Sequence, residues 1–429
     1  MGHVGNAKTY RDPVHDTIDW KQEGAAGAVV CALVDTPELQ RLRFVRQLGM
    51  ASLVFHGAEH SRFTHSLGVA HVARRMAHRL WPQQDELDRL SIVCAALLHD
   101  VGHAPFSHVM ERVFSFHHES YSRAIVESPE TGVHALLSRV DPSLPGRVSA
   151  LIAGEGPRAH AAVISSQVDA DRFDYLMRDA YMTGVQVGRY DLERVLLLLH
   201  ADEDGLLVDL RAWEAVEGYL LARYHMYRLV YFHRTVRAFE TLLERLFARA
   251  RHLLLEQGDA RIGLVGGALG ALMRGEAVDV RAWSRLGEYR AWALIDDWRE
   301  HPDRVLSELA SGLLDRRPLV WRERAVETPE AAAREDALAE RVLSELTPQE
   351  RFLFAVDEAR HSPYTPYVAR STAGAGGGVR LIDGTGRITL IEHKSPVVRA
   401  LGDVALRLRR WFVHPMILDK VRRVAGDQW

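Results

Sequence analysis

His99, Asp100, His103 and His108 place three imidazoles and a carboxylate within ten residues of one another. The segment opens apolar and helix-like from Ile92 to Leu98, then breaks at Gly102 and Pro105. Adjacent His and Asp side chains reach one divalent ion if the helix end presents them to a cavity. A mixed nitrogen and oxygen set suits Mn, Fe, Zn, Ni or Mg rather than the metals that seek thiolates. For a lone His-Asp pair, capping or core polarity is the simpler account. Two further histidines and two chain breaks turn the reading toward a metal site.

Two residues cannot fill a coordination sphere, so further ligands are expected elsewhere. Upstream, His65 stands at the head of a helical pattern that runs through Leu67, Val69 and Val72. Downstream, Asp169 to Asp179 supplies acids on a helix whose apolar positions are Phe173, Leu176 and Met177. At about 3.6 residues per turn, Asp171, Asp174 and Asp179 cannot all face one way, so only some of them can be ligands. Asp171, Tyr175 and Asp179 follow one another at four-residue spacing and share a stripe that would run along a pocket wall.

The elements around these residues read mainly as helices. Glu86 to Leu98, Asp191 to His200, Ala212 to Leu229 and Val236 to Leu255 carry apolar residues at three- and four-residue spacing. Val195 to Leu199 is apolar all round, which predicts a buried helix. Gly263 to Gly275 and Glu323 to Glu340 predict peripheral helices and loops. The composition then shifts: residues 373–378 read as a flexible glycine-rich loop, and Val379 to Ile382 pairs with Arg387 to Ile391 across Asp383-Gly384-Thr385-Gly386 as a β-hairpin. Leu401 to Arg410 predicts an amphipathic basic helix. The expected fold is mainly α, with a helical catalytic domain over 1–250, a peripheral helical region over 251–360 and a small mixed α/β C-terminal lobe over 361–429.

Composition limits the function classes. The 429 residues exceed one typical domain and can bury a large core. Fifty-four basic against 57 acidic residues leave a net charge of -3, so bulk electrostatics imply neither nucleic-acid nor membrane binding. Cys31 and Cys94 are the two cysteines and form no CxxC pair, which fits a reducing compartment. The uncharged run from Gly24 to Val34 is too short to span a bilayer and lacks the basic flank of a signal peptide. A cytoplasmic protein is expected.

The order His65, His99-Asp100, Asp171 resembles the H…HD…D pattern of the HD-domain phosphohydrolase superfamily. Asp12-Pro13-Val14-His15, the stretch from Asp35 to Gly49, Arg62 to Gly68, His99 to His108 and Asp169 to Asp179 carry a closer similarity, to its deoxynucleoside triphosphate triphosphohydrolase branch. The match runs through roughly residues 10–240 in register, with a weaker likeness at Glu392 to Pro396. An HD dipeptide alone is weak; an ordered series of long motifs is specific.

The resemblance implies roles. His65, His99, Asp100 and Asp171 would hold a divalent metal (Mn, Fe, Mg, Zn or Ni). His103, His108 and His118 would face the phosphates and move protons, with His108 protonating the leaving 5′-oxygen and Glu111 orienting it. His117 beside His118 leaves that last assignment open, although Glu119 favours His118. Arg62, Arg172 and Arg223 would contact phosphates. Gln47 and Asp179 would bind the sugar 3′-hydroxyl, Leu48 and Tyr231 would wall off C2′, and Tyr175 would pack on the sugar. Asp35, Gln40, Arg43 and Arg194 match positions for a guanine-nucleotide activator, and an arginine-rich packing surface explains them equally well. A homo-oligomer, dimer or tetramer, is expected. The implied reaction converts a deoxynucleoside triphosphate to deoxynucleoside and inorganic triphosphate. Other HD hydrolases, acting on ribonucleoside triphosphates, nucleoside monophosphates, cyclic dinucleotides or single-stranded nucleic acid, are the alternative, and a non-catalytic nucleotide sensor is a third.

Overall fold

A computed structural model describes residues 6–263, 267–324, 328–361, 378–403 and 406–426, together with 326 and 429. It is mainly helical, with nine short strands among the described residues. At its centre, the helix Arg62–Leu80 packs against Glu86–Leu98 on one side and Ala170–Thr183 on another. Arg62–Leu80 is buried along most of its length, and Glu86–Leu98 is buried from Leu90 onward. Their C- and N-terminal ends point the His99 and His65 regions at the start of Ala170–Thr183, where Asp169 caps the first turn by accepting from the Arg172 N–H.

Two close approaches fix this packing. A methyl group on Gly68 would overlap the Asp174 carboxylate and the Arg178 guanidinium on the facing helix. One on Gly102 would overlap backbone atoms of His118 and Ser122. Gly68→Ala is therefore expected to destabilise the protein by about 1–3 kcal/mol through overpacking. The check is the denaturant midpoint; an unchanged midpoint would show that the helices do not need this contact.

The strands form three sheets. β1 (Thr9–Asp12) and β2 (Asp16–Asp19) make an N-terminal hairpin. β3 (Leu199–Asp202) and β4 (Gly205–Asp209) pair antiparallel. β5 (Val320–Arg324) and β6 (Phe354–His361) flank β9 (Leu406–Val413) in a three-stranded antiparallel sheet. β7 (Arg380–Ile382) and β8 (Ile388–Leu390) form the hairpin expected around Asp383 to Gly386. That hairpin does not stand alone: β7 runs parallel to β4, which makes a four-stranded sheet shared with the helical body. One contiguous apolar core reaches from Val69 and Leu97 through Phe247 to Phe354 and Trp411.

Several boundaries differ from the sequence reading. The helix expected over Asp191 to His200 covers Leu192–Leu197, and Leu199 already begins β3. Leu197 is 62% exposed, so the apolar run is split between a short helix and a strand and is not one buried helix. The helix expected to Leu229 ends at Met226 and passes into a π-helical turn, Tyr227–Tyr231. The basic helix expected over Leu401 to Arg410 is wrong in its second half: the helix stops at Asp403, and Leu406–Val413 is the central strand of its sheet. Leu and Arg alternate there, a period-two pattern that a short apolar run does not distinguish from a helical stripe. The arginines are neutralised from neighbouring elements, Arg409 by Asp336 and Glu358 and Arg410 by Glu323. Most of the glycine-rich loop, residues 373–377, lies outside the described residues.

Candidate metal and nucleotide site

His65 leaves its helix with Nδ1 donating to Asp174 Oδ2 at 2.8 Å, which turns Nε2 toward Asp171 Oδ1 at 3.1 Å. His99 donates from Nδ1 to the Ala96 carbonyl at 2.8 Å, and its Nε2 lies 3.6 Å from the same Asp171 oxygen. The two imidazoles and Asp171 therefore present ligand atoms within 4.8 Å of one another. Asp100 adjoins them, with Oδ1 3.3 Å from His99 Nε2 and Oδ2 3.8 Å from His65 Nε2. His99 Nε2 is buried and has no hydrogen-bond partner. An orphaned, inward-facing lone pair beside two carboxylates is the signature of a cation site, and the N/O donor set fits a divalent metal of open identity.

The electrostatics agree. Burial alone would lower the His65 pKa, yet its hydrogen bonds to Asp171 and Asp174, and their charges, lift it to about 10. Burial likewise opposes the charged form of His99, and Asp100 and Asp171 override it upward. Burial would raise Asp100, but His99, Arg62 and His103 hold it well below the usual carboxylate range. The same carboxylates that favour positive charge on these imidazoles would favour a divalent cation between them.

Behind His65 stands a buried network missing from the sequence assignments. Arg178 bonds Asp174 through Nε and Nη2, both at 2.8 Å, and reaches Asp12 Oδ2 at 2.8 Å. Asp12 in turn accepts from the Val14 and His15 N–H groups, and His15 Nε2 donates to Asp174 Oδ1 at 2.7 Å. The Asp12-to-His15 motif thus orients Asp174, which orients His65. Carboxylates that fix a ligand histidine typically matter about 10–100-fold in metal affinity. Asp174→Asn is expected to weaken metal binding by that much, read by titration with a metal indicator; unaltered affinity would separate Asp174 from the site.

Next to the metal residues, Glu111 gathers the other histidines. His108 Nδ1 donates to Glu111 Oε2 at 3.0 Å and His118 Nδ1 to Oε1 at 2.6 Å. Burial would raise the Glu111 pKa, but these two hydrogen bonds and the neighbouring positive charge hold it well below the ordinary range. His103 stacks on His118 with ring centroids 3.7 Å apart. Burial, followed by the charge of Arg62, depresses its pKa far below that of a free imidazole. It therefore stays neutral. His108, with its side chain 63% exposed, opens to the cavity. The two residues before it, Phe106 and Ser107, have positive φ of 56° and 48°, which costs non-glycine residues energy and recurs at functional sites.

A cavity of about 1720 Å³ joins these groups to the rest of the assigned set. Gln47, Leu48, Arg62, Arg172, Tyr175, Asp179, Arg223 and Tyr231 line it together with the metal residues, His103, His108 and His118; Glu111 stands behind the wall. Arg62 pairs with Asp100 and donates to Ser107 Oγ at 2.9 Å. Arg172 is held by the Asp169 carboxylate and the Ser166 carbonyl. Arg223 pairs with the Gln167 side-chain oxygen at 3.0 Å, and its buried Nε has no acceptor. Asp179 accepts from His60 Nε2 and from the Tyr231 hydroxyl, both at 2.8 Å, and the Gln47 side-chain oxygen is buried without a partner. The π-helical turn is what carries Tyr227 and Tyr231 to this wall.

The four residues assigned to an activator do not line the cavity. Asp35 pairs with Lys8, Gln40 donates to the Val34 carbonyl, and Arg43 donates to Gln40 Oε1 and lies 3.7 Å over the Phe63 ring. Arg194 donates to the Arg211 carbonyl at 2.9 Å. Among the described residues, no helix is long and apolar enough to cross a membrane.

Helix-borne imidazoles and carboxylates gathered at a candidate cation site accompany a mainly helical fold. Residues 62–134 match the HD domain and 190–262 match the HD associated region. A phosphohydrolase from Bacteroides thetaiotaomicron superposes with a TM-score of 0.77 at 25% identity, over 95% of this chain and 99% of that one. The uncharacterized protein YwfO of Bacillus subtilis is 42% identical over 256 residues, 59% of this chain and 58% of that protein. Human deoxynucleoside triphosphate triphosphohydrolase SAMHD1 is 28% identical over 290 residues, 58% of this chain and 45% of that protein. The chain thus spans about half the length of the curated relatives it matches. It carries an HD domain with its associated region and is similar in fold to a phosphohydrolase over nearly its whole length.

Proposed function

We propose that the protein is a metal-dependent phosphohydrolase whose substrate is a deoxynucleoside triphosphate, cleaved to deoxynucleoside and inorganic triphosphate. The observation that carries this reading is the single cavity shared by the metal residues, the arginines and the Gln47–Asp179–Tyr231 group. The name of the human relative supports the substrate class.

A bound divalent metal would supply charge neutralisation at the phosphoryl group and lower the pKa of a bound water. The chain's own residues do the rest. Arg223, the lining arginine that meets no carboxylate among the described residues, binds the phosphate anion. Gln47 and Asp179 hold the 3′-hydroxyl, and Leu48 with Tyr231 leaves an added 2′-hydroxyl without a hydrogen bond. Water attacks the α-phosphorus, the P–O5′ bond breaks, and the 5′-oxygen takes a proton from His108; the proton the water loses passes to solvent, from which His108 is reprotonated. With Nδ1 committed to Glu111, Nε2 is the nitrogen that faces the leaving group.

The test is turnover of each deoxynucleoside and ribonucleoside triphosphate with Mn or Mg, alone and with GTP or dGTP, beside a His99→Ala/Asp100→Ala control. Selective release of deoxynucleosides, lost in the control, supports the reading. Equal or preferential use of ribonucleotides overturns the sugar assignment. A rate raised by the guanine nucleotide, and a change in oligomeric state with it, would support an activator at Asp35, Gln40, Arg43 and Arg194; a flat response would remove it.

A further inference from the structure

The region read from sequence as peripheral grips the loop that bears the catalytic histidines. Trp283 donates from its indole to the Gly102 carbonyl at 2.8 Å and stacks on Tyr121 at 3.4 Å. Arg41 ties the Leu286 carbonyl to those of Val101 and His103. Glu288, at the head of the helix Glu288–Asp297, is 5% exposed. Its Oε1 accepts from the Phe106 N–H at 3.3 Å, across 182 residues of sequence, and from the Arg46 N–H at 2.8 Å. Trp292, on the same helix, meets the Phe106 ring edge-on at 5.2 Å.

These contacts converge on a backbone that would not hold its shape unaided. Phe106 and Ser107 are the two consecutive residues with positive φ, and His108 follows directly. Ser107 Oγ also bonds the Arg46 carbonyl at 3.3 Å, so one carboxylate oxygen joins the His108 turn to the segment carrying Gln47 and Leu48. Segment 283–292 lies outside both matched regions, 62–134 and 190–262.

We infer that Glu288 is a positioning residue for proton donation: it locks the Phe106–Ser107 turn and so aims His108 at the leaving oxygen. The inference rests on His108 being the donor. Its consequence is selective. Misaiming the donor slows departure of an alkoxide, which needs a proton, and spares a 4-nitrophenolate, which does not. Since one oxygen accepts both N–H groups, glutamine in its place keeps the lock and alanine releases it.

The experiment compares Glu288→Ala, Glu288→Gln and His108→Ala with the wild type. Hydrogen exchange of peptides covering 101–110 is measured with turnover of dNTPs and of 4-nitrophenyl phosphate, and metal content is checked throughout. Glu288→Asp, too short to reach both N–H groups, replaces the alanine variant if that one fails to fold. Expected for Glu288→Ala are faster exchange confined to 101–110, kcat on dNTPs lowered about tenfold or more with KM little changed, and near-normal 4-nitrophenyl phosphate turnover. Glu288→Gln restores all three. Unchanged exchange at 101–110, equal loss on both substrates, or failure of glutamine to rescue overturns the inference. A wild type inert toward dNTPs would sink the substrate reading instead; the exchange pattern and its rescue by glutamine would still decide whether Glu288 holds the turn.

Discussion

Asp171→Asn is expected to abolish metal retention and to lower turnover by at least about a thousandfold, the several kcal/mol that a catalytic metal contributes. Asp171 Oδ1 is the one oxygen atom that both His65 Nε2 and His99 Nε2 approach. Asp100, the other carboxylate of the set, already offers Oδ1 beside His99 and shares Oδ2 with Arg62, so it does not make up for the lost oxygen. Metal analysis after dialysis, alongside turnover, makes the check; a variant that keeps its metal and activity would move the site elsewhere. The same geometry fixes a pH dependence. In the metal-free protein the His65 pKa is raised to about 10, so near neutrality a metal must displace its proton. The raised pKa means that protonation of His65 is favoured below that value, and this protonation competes with the metal. Apparent affinity is therefore expected to fall as pH falls, by up to tenfold per unit, with proton release on binding. Isothermal titration in buffers of different ionisation enthalpy measures that release; none would mean the imidazoles are already neutral.

The second large effect belongs to His108. His108→Ala is expected to lower kcat by about 10²–10⁴-fold, the usual contribution of a general acid, while leaving metal content intact. Glu111→Gln should follow part of the way, since the anionic carboxylate that accepts from His108 and His118 becomes a neutral amide. His103→Ala is not equivalent: His103 stays neutral, stacked beneath His118, and its loss removes packing rather than a proton. Single-turnover rates on a dNTP discriminate. Comparable losses for His103 and His108, or retained activity without His108, would reassign the donor.

The candidate metal residues were the most legible part of the sequence, because their spacing is local. His99 and Asp100 end a helix whose apolar pattern gave Glu86–Leu98 to the residue. The four-residue stripe from Asp171 through Tyr175 to Asp179 indeed faces the cavity. What supports them was not legible. Asp174 lies three residues from Asp171 and turns toward His65 and Arg178, a choice decided by the facing helix and not by its own. His60 and Glu288 act through partners 119 and 182 residues away, which no local pattern encodes. The C-terminal sheet was missed for a related reason. Leu406–Val413 becomes a strand because β5 and β6 supply hydrogen bonds and the acids Glu323 and Glu358 on its two sides. Tertiary partners there override a local pattern that suits a helix as well.

The most direct measurement is ³¹P NMR of the products formed from a deoxynucleoside triphosphate in ¹⁸O-enriched water. Attack at the α-phosphorus yields unlabelled deoxynucleoside and intact triphosphate carrying one ¹⁸O on a terminal phosphate. Pyrophosphate with a deoxynucleoside monophosphate, or label in the nucleoside hydroxyl, would contradict the account.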